Sequence, residues 1–241
     1  MNPTTLEEAS HIFKKVKNMA QKLNYTHVII CPPFPYISKF VSSKAKISVG
    51  IGAQDAFSEE SGSFTGEVSP AMLRDLGVSH VIVGHSERRS AGESDEVVAK
   101  KVQSVLEAGI HPIVCVGEKE RDSHGLYLDA LKVQIKNSLA KVPKKLASQV
   151  IIAYEPVWAI DAKEPMEPSV IEEMTIFIRK VLADIFGQEN ALKTTVLYGG
   201  SINFRNAPDI ITRGKVDGLL VGRESVNIPG FIELLKAVDV V

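Results

Sequence analysis

A (β/α)8 barrel lacking its first strand is the fold this sequence predicts, on three observations. Short β-branched runs alternate with amphipathic helical stretches along the whole chain, and polar or glycine-rich residues follow almost every run. The tally is about eight helices to about seven strands, with a helix first, whereas a barrel of this class opens on a strand. A doubly wound sheet would instead gather its functional residues at one switch point. No Gly/Ser linker or low-complexity tract divides the 241 residues, so 1–241 reads as a single domain.

The first helix spans about Thr5 to Leu23, with Leu6, Ala9, Phe13, Val16, Ala20 and Leu23 spaced three and four apart. Thr5 and Glu8 form its capping box. The strands follow as His27–Cys31, Ile47–Ile51, His80–Val83, Pro112–Val116, Val150–Tyr154, Thr195–Tyr198 and Gly218–Val221. They are nearly all apolar rather than alternating, as parallel strands covered on both faces should be. Between them the helical period covers Pro35–Ser42, Ser69–Leu76, Asp95–Ala108, Leu126–Lys141, Pro168–Phe186, Asn206–Thr212 and Pro229–Val238.

Composition excludes several classes. A net charge of −1, with no basic run longer than Lys144-Lys145, gives no electrostatic footprint for nucleic acid. Apolar stretches such as Val150–Ala153 are too short to span a membrane, and the first residues lack signal-peptide features. Two cysteines, Cys31 and Cys115, set among β-type residues, read as buried free thiols in a reducing cytosol. A cytoplasmic protein is expected. No residue cluster has metal-ligand spacing, and neither a metal nor a cofactor is called for.

The candidate chemistry lies at the carboxyl ends of the strands. Five histidines have bland settings: His11 and His124 on helix surfaces or loops, and His27, His80 and His111 at strand entrances. His85 leaves its strand after Gly84, and Ser86-Glu87-Arg88-Arg89 behind it starts a helix, whose N-terminus is expected to depress the imidazole pKa. A neutral ring there can donate a hydrogen bond to a substrate oxygen. Glu155 ends another strand ahead of Pro156-Val157-Trp158 and suits a general base under an apolar lid; the bland alternative is a rim carboxylate paired with arginine. Tyr198-Gly199-Gly200-Ser201 and Leu220-Val221-Gly222 end the last two strands, where barrels of this class bind phosphate on backbone N–H groups.

Together these segments resemble the signature stretches of the triosephosphate isomerase family. So do Gly52-Ala53-Gln54-Asp55, Thr65-Gly66-Glu67-Val68-Ser69-Pro70 and Cys115-Val116-Gly117-Glu118, in register from Met1 almost to the end. The resemblance, not the spacing, supplies the following roles. It implies that Glu155 moves a proton between adjacent carbons of a triose phosphate, that His85 polarises the carbonyl, and that Glu87 supports the site. It gives Ser201 and Gly222 to the phosphate beside Gly200, makes Pro156, Val157 and Trp158 the start of a mobile lid latched by Tyr198, and sends Thr65-Gly66-Glu67 into a neighbouring subunit of a homodimer.

Three departures stand out. The family's first strand, with its Asn-x-Lys, precedes the residues matching Met1-Asn2 and has no counterpart. The lid tip reads Asp161-Ala162-Lys163 instead of Gly-Thr-Gly, which sets the Asp161 carboxylate where phosphate is expected. A glycine after the last strand is replaced, leaving Gly222-Arg223, and Arg223 is a candidate phosphate cation. The expected activity is therefore weak or absent isomerisation of glyceraldehyde 3-phosphate and dihydroxyacetone phosphate. The alternative is a non-catalytic descendant that binds phosphorylated ligands or acts through its oligomer interface.

Overall fold

The computed structural model describes residues 2–41, 49–160 and 165–241. Seven strands form one curled parallel sheet in chain order: β1 (Val28–Ile30), β2 (Val49–Ala53), β3 (His80–Val83), β4 (His111–Val116), β5 (Ile151–Tyr154), β6 (Thr195–Tyr198) and β7 (Gly218–Leu219). Every neighbouring pair is parallel, with Ile113 opposite Ile151, and Ala153 opposite Leu197. The helices are α1 (Leu6–Ala20), α2 (Phe34–Val41), α3 (Pro70–Asp75), α4 (Ser86–Ser90), α5 (Asp95–Glu107), α6 (Leu126–Ser138), α7 (Pro168–Phe186), α8 (Gln188–Lys193), α9 (Ala207–Gly214) and α10 (Ile228–Val238). None of the described helices is long and apolar enough to cross a membrane.

Strand periodicity sorts the core into two layers. On β4, Ile113 and Cys115 face the inside of the curl, while Val114 and Val116 join the layer beneath the helices. Ile82, Ile151, Ala153 and Leu197 continue the inner cluster; Val81, Val83, Ile152, Tyr154, Val196 and Tyr198 belong to the outer one. Caps fix the helix starts. The Thr5 hydroxyl accepts the Glu8 N–H at 3.1 Å and the Glu8 carboxylate accepts the Thr4 N–H at 3.1 Å; Ser69 and Ser94 cap α3 and α5.

The element order agrees with the sequence reading, with corrections at short elements. The two helices α4 and α8 have five and six residues, too few to show an apolar period. Of the expected strand Ile47–Ile51, Ile47 and Ser48 lie outside the described residues, and β2 begins at Val49. The expected strand Gly218–Val221 stops at Leu219, and His27–Cys31 contracts to Val28–Ile30. Both are outer strands. Among the described residues β1 pairs only with β2 and β7 only with β6, so each lacks a ladder on one side to hold its ends extended.

A cavity of about 560 Å³ lies along this seam. Inner-face residues Ile29, Ile82 and Ile113 line one side, and Ile12, Val16 and Leu234 of α1 and α10 line another. The Asp239 carboxylate, just after α10, accepts the backbone N–H groups of Asn24, Tyr25 and Thr26 at 2.9–3.1 Å, tying the chain's end to the approach to β1.

His80 and His111 begin β3 and β4 with their rings stacked 5.2 Å apart. Burial, then the proximity of His111 and His27, lowers the His80 pKa to about 4. Its folded pKa lies below its unfolded one, so between pH 6.5 and 4 the unfolded chain binds the extra proton and stability falls as pH falls. With solvent screening this amounts to about 1 kcal/mol at pH 5, or ~2–4 °C in melting temperature. Melting curves at pH 7 and pH 5 should show that drop, and His80→Gln should remove it; an unchanged pH dependence in the variant would refute the assignment.

Candidate active site

Two strand ends place the central pair. Gly84, at φ +70°, turns the chain out of β3 so that His85 caps α4. Its Nδ1 accepts the Glu87 N–H at 3.3 Å, which puts the ring proton on Nε2. That nitrogen lies 3.1 Å from Glu155 Oε1. Glu155 follows β5, its N–H donating to the Val116 carbonyl at 2.8 Å, and is 4% exposed. Its second oxygen accepts the Ser86 N–H at 3.2 Å.

Close packing explains two glycines around this carboxylate. A Cβ on Gly117 would collide with the Glu155 carbonyl, and one on Gly199 would come within 2.9 Å of the Glu155 Cγ. Cys115 lies beneath it, and burial followed by the Glu155 charge raises its thiol pKa, keeping it protonated. Both cysteines are free thiols; burial pushes Cys31 up to about 12.

The expected depression of the His85 pKa is overturned. Burial lowers it, but the hydrogen bond and charge of Glu155, with the Glu87 charge, outweigh burial, and the pKa is raised. The local helix start favours a lower pKa, but the dominant partner, Glu155, follows another strand. The Glu87 carboxylate itself is exposed, 3.8 Å from His85 Nδ1; only its backbone N–H bonds to the ring.

Beyond Glu155, Pro156 leads into a short 3₁₀ turn, Val157–Ala159. Trp158 there donates its indole N–H to Glu118 at 2.9 Å. Glu118, 4% exposed, also accepts the Tyr154 hydroxyl at 2.9 Å and Arg121 Nε at 3.0 Å, while the Arg121 guanidinium stacks on Trp158 and Tyr127. The sequence showed Gly117-Glu118 as a polar strand end within a stretch that carries the resemblance, and assigned Glu118 and Arg121 no role. The signal was a charged residue directly after an apolar strand.

Tyr198, at the end of β6, is buried and its hydroxyl has no partner among the described residues. Burial and the nearby Glu118 charge raise it to about 12. Gly200 follows because a Cβ there would strike the Tyr198 ring and hydroxyl. The Ser201 hydroxyl donates to the Ala159 carbonyl at 3.1 Å, joining this glycine turn to the segment after Glu155. Gly222 has open space where its Cβ would be and precedes a 3₁₀ turn, Arg223–Val226. Arg223 is exposed, and the neighbouring Glu224 carboxylate accepts from Asn227 at 3.1 Å. Thr65, Gly66 and Glu67 are exposed on a surface loop. Asp161 lies outside the described residues. Among those described, no group of three or more His, Cys, Asp or Glu side chains is arranged to hold a metal ion.

This arrangement sets an acceptor carboxylate and an Nε2–H donor side by side at the strand ends, flanked by two glycine turns. The family model described as triosephosphate isomerase matches residues 1–238. The chain is 41% identical over 239 residues to a protein named triosephosphate isomerase from Endomicrobium trichonymphae, covering 98% of this chain and 94% of that one. Similar proteins of the same name come from Fusobacterium nucleatum subsp. nucleatum, 40% identical over 233 residues (96% and 93% covered), and Carboxydothermus hydrogenoformans, 38% over 231 (95% and 92%).

Proposed function

The chain belongs to the triosephosphate isomerase family, and we propose that it interconverts glyceraldehyde 3-phosphate and dihydroxyacetone phosphate through an enediolate. The contact between His85 Nε2 and Glu155 Oε1 carries this reading. Substrate enters between the two groups. The Glu155 carboxylate takes the proton from the carbon next to the carbonyl, while His85 donates its Nε2–H to the carbonyl oxygen. His85 then takes up the proton that the neighbouring hydroxyl gives up, and returning the other proton from Glu155 to the adjacent carbon completes the exchange, with no net gain or loss of atoms or electrons. Separating Glu155 from His85 removes the main cause of the raised histidine pKa; burial and the Glu87 N–H on Nδ1 then favour the neutral ring.

Backbone N–H groups of Ser201 and Gly222 hold the phosphate, with Gly200 admitting close approach. Pro156, Val157 and Trp158 begin a lid that moves against Glu118 and Ser201, and Tyr198 receives it when closed. Thr65, Gly66 and Glu67 dock into a second subunit of a homodimer.

Among the described residues β1 and β7 each pair on one side only, and no lysine lines the cavity between them. Loss of one preorganised donor lowers rate on the order of 10²–10³, so turnover is slow. An NADH-linked assay of dihydroxyacetone phosphate formation by the purified chain tests this. Slow turnover is expected; phosphorylated analogues bound without any turnover would instead indicate the non-catalytic reading.

Arg223, next to Gly222, is the cation that grips the phosphate. Calorimetry with a phosphorylated enediolate analogue should show Arg223→Ala binding about tenfold more weakly, ~1.4 kcal/mol. Equal affinities would remove Arg223 from the site.

A further inference from the structure

We propose that Arg89 is a positioning residue for the site: by bonding to the backbone where β3 and β4 end, it sets His85 against Glu155. The inference deepens the isomerase reading and rests on its assignment of His85 as donor and Glu155 as base.

His85 and Ser86 lie at the start of α4, and each meets one oxygen of the Glu155 carboxylate, His85 through Nε2 at 3.1 Å and Ser86 through its N–H at 3.2 Å. The placement of α4 therefore fixes the geometry of the pair. A helix of five residues is too short to hold a position by its own hydrogen bonds. Arg89, mostly buried in its last turn, supplies an anchor from outside. Its Nε donates to the Gly84 carbonyl at 2.7 Å and its Nη1 to Asp95 at 2.5 Å. Nη2 donates to the Cys115 carbonyl at 3.1 Å and to the Ser138 hydroxyl oxygen at 3.0 Å. The Gly84 carbonyl belongs to the peptide bond that leads into His85.

The bond to Cys115 continues the sheet. Successive carbonyls along a strand point to alternate neighbours. The Val116 carbonyl accepts the Glu155 N–H from the β5 side, so the Cys115 carbonyl faces β3. There β3 has ended at Val83, opposite Val114, and the chain has turned away through Gly84. Arg89 Nη2 takes the place of the ladder donor that β3 no longer offers. One guanidinium thus joins the peptide before His85 to the stretch of β4 that also holds the Glu155 N–H. The fit is close: a Cβ on Gly84 would come within 2.9 Å of Nη2. A planar fork of donors can span two carbonyls in this way, whereas a lysine ammonium is a single point.

Two variants that leave the net charge unchanged test the role. Arg89→Lys loses the fork, and Ser138→Ala frees Nη2 from one of its two acceptors. Arg179→Lys is the control. Arg179 donates to the Ala191 and Thr194 carbonyls and to Asp217, the same kind of anchor at the entrance end of β6 and β7. His85 is titrated by NMR in each protein, and turnover is read in the NADH-linked assay. In Arg89→Lys the His85 pKa should move downward, because the Glu155 contact that raises it loosens. There kcat should fall about 10–100-fold with KM within about two-fold, as misplacement of a reacting group predicts. Ser138→Ala, which removes one hydroxyl, should shift both readouts the same way by less, and it decides the question should Arg89→Lys fail to fold. Arg179→Lys should lower the melting temperature and leave the His85 titration where it was. An unmoved His85 titration in the folded Arg89 and Ser138 variants, or an equal shift in Arg179→Lys, would overturn the proposal and leave Arg89 a structural anchor alone. The titration needs no turnover: an inactive unmodified chain would defeat the isomerase reading, while the histidine would still decide the role of Arg89.

Discussion

Glu155→Gln should reduce isomerisation of glyceraldehyde 3-phosphate by 10²–10⁴-fold, the range of a lost general base. Glutamine keeps the size of the side chain, so the close fit against Gly199 is preserved. The amide oxygen can still accept the Ser86 N–H, which now holds Oε2 at 3.2 Å. What disappears is the charge that receives the substrate proton. Affinity for a phosphorylated ground-state analogue should stay within a few-fold, so the loss should appear in kcat. The histidine offers an independent readout: with the Glu155 charge gone, burial prevails and the His85 pKa should move downward by NMR titration. A variant retaining the parent's rate would mean that the base is misassigned.

Lys101→Met should be the most destabilising single change outside the apolar core. Lys101, 4% exposed on α5, lies between the carboxylates of Asp55, at 2.8 and 2.9 Å, and Glu93. Arg88, half exposed, reaches Asp55 at 2.8 Å and Glu93 at 3.4 Å. Methionine removes the buried cation and leaves two carboxylates sharing one solvent-facing arginine. Breaking a buried ion pair this way costs about 3–5 kcal/mol, or roughly 10 °C in a chain of this size. Burial already raises the Asp55 pKa, with Lys101 opposing it, so losing the lysine raises it further. A carboxylate with a raised folded pKa takes up a proton more readily in the native state, so its burden on stability eases as pH falls. The gap between variant and parent should therefore narrow from pH 7 to pH 5. A gap that is constant or widens would show that the cluster does not act through buried charge.

The sequence made legible those features in which neighbours along the chain decide the outcome. The apolar run of β5 and the threes and fours of α1 state their own structure. Gly84 before His85 and the Gly199-Gly200 pair mark the strand ends where chemistry gathers, because backbone and side chain need the space a Cβ would fill. What stayed hidden depends on groups brought together from afar. The direction of the His85 shift is set by Glu155, seventy positions away, and no local helix rule contains it. Glu118 acquires meaning only when Tyr154, Trp158 and Arg121 converge on it. The edge strands are shorter than their sequences suggest because extension there depends on a ladder that, among the described residues, one side lacks.

The Asp239 carboxylate gives that seam a mechanical character. By holding three consecutive amides more than two hundred residues away in sequence, it acts as the clasp of a split ring. A curl whose ends, among the described residues, do not pair has an elastic degree of freedom that a closed hoop lacks, namely the width of its slit. The clasp and the packing of α1 on α10 limit that width from outside the sheet. Strain applied to the two ends of the polypeptide therefore loads the clasp before it loads the ladders, and the molecule should yield first by opening at the seam, with β2 to β6 still in register.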